Sequence, residues 1–95
     1  MANSHAVRMR VLEVKGTCPN GHKPGDEWLV KNKTPGGICM GGFSSCLPYL
    51  TALRFGGSFP WESAEGTATI GCPDHVNQVV WKLDRVESRP SVETD

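Results

Sequence analysis

Apolar and polar side chains alternate over residues 6–15, with Val7, Met9 and Val11 set against Arg8 and Arg10, as in a half-buried strand. The apolar phase then moves to Leu12 and Val14, which predicts a β-bulge or a strand end covered on both faces. Lys23-Pro24-Gly25-Asp26 fits a type II turn, with Pro at its second position and Gly at its third. Beyond it, residues 27–31 read as a second, antiparallel strand with Trp28 and Val30 on one face. From Phe43 the period lengthens to that of a helix, placing Phe43, Cys46 or Leu47, Leu50 and Leu53 on one stripe. Ser44 or Ser45 is the expected cap, Pro48 marks where the regular helix begins, and Gly56-Gly57 ends it. Alternation returns over residues 67–72, where Ala68, Ile70 and Cys72 share a face. It continues in Val79, Trp81 and Leu83, joined to the preceding strand as a hairpin. The order β-β-α-β-β predicts a small α+β domain, a mostly antiparallel four-stranded sheet covered by one helix.

Ninety-five residues suffice for one modest core. Residues 1–87 are assigned to that single domain, and residues 88–95, charged and with little to bury, to a loosely ordered tail. Ten basic and ten acidic side chains cancel without a Lys/Arg run, which argues against a nucleic-acid partner. No apolar run approaches membrane-spanning length, and the first residues lack the features of a signal peptide. A cytoplasmic protein with no membrane partner is expected. In that reducing compartment its four cysteines are expected as thiols rather than as structural bridges. A domain this small also leads us to expect help from a metal or from a second copy in a homo-oligomer.

The chemistry gathers around Cys18-Pro19-Asn20-Gly21-His22, where one tight loop carries a thiol and an imidazole. With Cys39 and Cys72, also in loops, they make a three-sulfur, one-nitrogen donor set suited to zinc. The three thiolates alone suit an iron–sulfur centre with one iron open to a substrate or to His22. A second class is a metal-free cysteine enzyme, with Cys18 or Cys72 as nucleophile and His22 or His75 as base. A third is an interaction module whose thiols are packed as small apolar groups, the reading favoured for Cys46. Arg54, Trp61 and Asp74 are candidates for the wall facing a small anionic substrate, and Asp74, with Asp26, is also a candidate to orient His22 or act as an acid–base group. For Arg54 the helix dipole, and for Asp74 and Asp26 turn hydrogen bonding, are simpler roles. His5 reads as a residue of a mobile tail and His75 as a turn residue. Trp28 and Trp81 read as core.

The chain resembles a family of short bacterial and archaeal proteins of unassigned function. The resemblance rests on Cys18-Pro19-Asn20-Gly21-His22, Gly25-Asp26, Thr34-Pro35-Gly36-Gly37-Ile38-Cys39, Pro48-Tyr49, Ala52-Leu53-Arg54-Phe55-Gly56-Gly57, Pro60-Trp61 and Cys72-Pro73-Asp74. It extends from about Val7 to Val86 and implies a small intracellular domain with three recurrent cysteines and one histidine. Cys46 stands where the resemblance leads us to expect an ordinary helix residue.

Overall fold

A computed structural model describes residues 4–86; the expected tail over 88–95 lies outside them. Strands β1 (Val7–Val14), β2 (Glu27–Val30), β3 (Thr67–Gly71) and β4 (Val79–Arg85) and helix α1 (Met40–Arg54) follow in the order β1-β2-α1-β3-β4. The sheet is antiparallel throughout, with strand order β2-β1-β4-β3. The two strands with the strongest apolar alternation occupy its centre. Their inward residues Val7, Met9, Val11, Val79, Trp81 and Leu83 are all buried, and each such side chain removed from water contributes about 1.5–3 kcal/mol before entropy is counted. The opposite face is polar, with surface ion pairs Arg8–Glu27 at 3.5 Å and Arg10–Asp84 at 3.6 Å. Being exposed to solvent, they fix register more than they stabilise.

The predicted bulge is present: the β1–β4 register shifts between Val11 and Glu13. Leu12, the extra residue, is left 43% exposed rather than covered. The type II turn is present as well, since Asp26 N–H donates to the Lys23 carbonyl at 3.0 Å and Gly25 has φ +95°. The hairpin between β3 and β4 forms as expected.

Helix α1 joins edge strand β2 to edge strand β3, packs along β4 and β3 and buries Gly42, Cys46, Leu50 and Leu53. It begins three residues before the expected Phe43, and its N-cap is Cys39 rather than Ser44 or Ser45. The reason is packing. A Cβ on Gly42 would stand 2.7 Å from Trp81 Cζ2, and one on Gly41 would stand 3.6 Å from Pro73 Cγ. These glycines let the first turn lie directly on β4 and the β3–β4 connection, and that contact outweighs their poor helix propensity. Pro48 lies inside the helix, not at its start. The C-terminus closes as predicted: Gly56 has φ +92°, Gly57 N–H donates to Ala52 O at 2.8 Å and Gly56 N–H to Leu53 O at 3.2 Å, a Schellman arrangement.

His5 does not belong to a mobile tail. Its N–H donates to the Arg54 carbonyl at 2.7 Å, and Val86 N–H donates to Ala6 O at 2.8 Å. The two ends of the described chain therefore meet beside the C-terminus of α1. The start of α1 and the turns after β1 and β3 lie at the other end of the sheet.

Candidate functional site

That other end collects the cysteines. β1 delivers the Cys18 loop, β3 delivers Cys72 one residue past its end, and the loop after β2 climbs back to place Cys39 at the start of α1. Asn77 ties the first two together, because its Oδ1 accepts the Thr17 N–H at 3.2 Å. The Cys18 turn is closed by Gly21 N–H donating to Cys18 O at 2.9 Å, with Gly21 at φ +80°. Pro19 and Gly21 thus supply the conformations the turn needs, and His22 follows at its exit.

His22 is buried, with 6% of its surface exposed. Its ring lies edge-on between Trp28 and Trp81, with centroids 5.3 and 5.4 Å away. Nε2 accepts the Cys39 N–H at 3.1 Å, which places the proton of the neutral ring on Nδ1. Trp28 holds the same loop from a second side, its Nε1–H donating to Gly36 O at 3.1 Å. His22 therefore reaches Cys39 through its backbone and not through its sulfur.

The four thiols have distinct surroundings. Cys39 has extended backbone at the N-cap, and its Sγ accepts the Gly42 N–H at 3.3 Å. Among the four it alone is not buried. Cys72 Sγ accepts the Val79 N–H at 3.2 Å, and both Cys72 and Cys18 pack in the core cluster. Cys46 is fully buried beneath α1; burial pushes its thiol up to about 12, with charge on Cys39 and Cys72 adding to the effect. The Cys39 and Cys72 sulfurs thus each have a backbone N–H aimed at them, and Cys39 also sits at the N-terminus of α1. Sequence pattern alone did not assign Cys39 this capping role; the Gly41-Gly42 pair just after it was the available signal.

Among the described residues, no group of three or more His, Cys, Asp or Glu side chains is arranged to hold one ion. Cys18, His22, Cys39 and Cys72 share an end of the molecule, but as they stand they do not fit a zinc or iron–sulfur centre. Asp74 is close by in sequence and makes a turn: its Oδ1 accepts the Asn77 and Val76 N–H groups, each at 3.0 Å. Those two bonds hold its carboxyl below the usual range, with His75 adding. Asp26 likewise closes its own turn, accepting the Lys23 N–H at 2.9 Å, and His75 is exposed. Arg54 lies at the far end of α1, donating to Asn32 Oδ1 at 2.6 Å. Trp61, 66% exposed, stacks on Phe59 in the loop after the helix. Neither is brought to the cysteines.

Fold and site together define a small α+β domain with one thiol-rich end, and no helix among its described residues is long and apolar enough to cross a membrane. Comparison of the chain with protein families, curated proteins and solved structures finds no match.

Proposed function

We propose that the protein acts through Cys39 as a reacting thiol in a cysteine-dependent activity on a small molecule, in a reducing compartment such as the cytoplasm. The observation that carries this reading is the setting of Cys39: the one thiol of four that is not buried, at a helix N-terminus, with a backbone N–H on its sulfur. Such surroundings mark reactive cysteines, whereas complete burial, as at Cys46, suppresses reaction. In this reading His22, whose Nε2 accepts the Cys39 amide, serves to fix the backbone from which the sulfur projects rather than as the base. Brief alkylation of the native protein with iodoacetamide, followed by peptide mapping, should modify Cys39 first and Cys46 last. Modification of Cys18 or Cys72 ahead of Cys39 would overturn the reading.

A second reading keeps the metal. The N–H bonds to the sulfurs of Cys39 and Cys72 are of the kind that surround metal-bound thiolates. Recruiting Cys18 and His22 as well requires their loop to move and His22 to release the Cys39 amide. Elemental analysis of protein purified without oxygen separates the two: about one zinc per chain, or iron with sulfide, supports the metal reading. Neither metal, with fast alkylation of Cys39, supports the thiol reading.

A further inference from the structure

Cys39 has three thiols to choose from if it works with a partner. Cys46 is excluded by geometry: it lies two turns further along α1, about 10 Å of helix rise, and a disulfide needs Cα atoms within about 7 Å. Cys18 and Cys72 are equally buried in the core cluster, so burial does not choose between them. Position favours Cys72. Its neighbour Pro73 packs on the first turn of α1, the ring Cγ 3.6 Å from where a Gly41 Cβ would be. Cys72 is held to Val79, its N–H donating to Val79 O at 2.9 Å and its Sγ accepting the Val79 N–H, two residues before Trp81, on which Gly42 of α1 rests.

We propose that Cys39 and Cys72 form a dithiol pair that exchanges with small disulfides. This deepens the reading of Cys39 as the reacting thiol and rests on it. In the first step the Cys39 thiolate attacks one sulfur of the small disulfide. The S–S bond breaks and the other half leaves as a thiolate, taking up the proton that Cys39 released. In the second, the Cys72 thiolate attacks Cys39 Sγ in the mixed disulfide and expels the remaining half, which takes the proton from Cys72. Two protein thiols are oxidised, one small disulfide is reduced to two thiols, and no further oxidant is required.

The closed form has a structural signature. Bridging draws Cys39 Sγ from the Gly42 N–H and Cys72 Sγ from the Val79 N–H. Oxidation therefore unlatches the start of α1 and the start of β4 together. Both amides should exchange hydrogen faster in the oxidised protein, whereas Leu50 and Leu53 amides in the body of the helix should not change.

The test uses the full chain and oxidised glutathione, with products mapped by mass spectrometry. The expected result is a Cys39–Cys72 bridge in the native protein and a persistent glutathione adduct on Cys39 in Cys72→Ser. In Cys39→Ser, adduct formation should be slower by roughly tenfold or more, since only buried thiols remain. Cys46→Ala should form the bridge as the native protein does. A bridge to Cys18, or a Cys39 adduct that persists in the native protein, overturns the pairing. Either result leaves the reading of Cys39 intact so long as iodoacetamide still modifies it first. Should Cys39 fail that alkylation test, the underlying reading falls.

Discussion

Among single residues, Cys46 shows how strongly this fold differentiates chemically identical side chains. It has no exposed surface and lies on the buried stripe of α1, so its thiol is pushed up to about 12 from 9.0. A folded-state value above the unfolded one means the folded chain holds the proton more tightly. The resulting stabilisation is complete below pH 9 and is lost as pH rises from 9 towards 12, by about 2 kcal/mol at pH 10.5. Cys46→Ala has no such proton to hold. Urea unfolding at pH 7.5 and 10.5 should therefore show the native protein losing more of its midpoint than the variant does. An equal loss in both would place the alkaline sensitivity elsewhere.

Helix α1 is where local preference and tertiary packing disagree. Its C-terminus was legible because Gly56-Gly57 is a local signal, and the Schellman bonds need only nearby backbone. Its N-terminus was not, because Gly41 and Gly42 are poor helix formers whose value appears only once Trp81 and Pro73 are seen against them. The strands were easier. Alternation in Val7, Met9 and Val11 and in Val79, Trp81 and Leu83 names an inner face without knowledge of partners, although the central β1–β4 pairing is a long-range choice that alternation does not encode. Pro48 remains a local cost inside the helix, exposed and unable to donate to the Ser44 carbonyl. Pro48→Ala restores that donor. It should raise stability by about 1–2 kcal/mol, the helix gain of about 3 kcal/mol being offset by a freer unfolded chain. Denaturant unfolding measures this directly, and a lower midpoint would show that the ring contributes packing the helix needs.

For the whole molecule, the sequence made three of the four cysteines and His22 visible as one group, because short turns with Pro and Gly flank them. It could not show which atoms face one another. That depends on the climb of residues 31–39 back along the sheet, which brings the Cys39 amide to His22 across 17 positions. The helix itself separates Arg54 from Cys39, since its 15 residues carry Arg54 about 22 Å away.

Ala6 and Val86 are hydrogen-bonded neighbours, and Cys18, Cys39 and Cys72 occupy the opposite pole, about 25 Å of strand away. The molecule thus has a handle at one pole and the Cys39 thiol at the other. Anchored by either side of that handle, to a bead, a scaffold or a fused protein, it should present Cys39 outward. Its alkylation rate should then match that of the free chain.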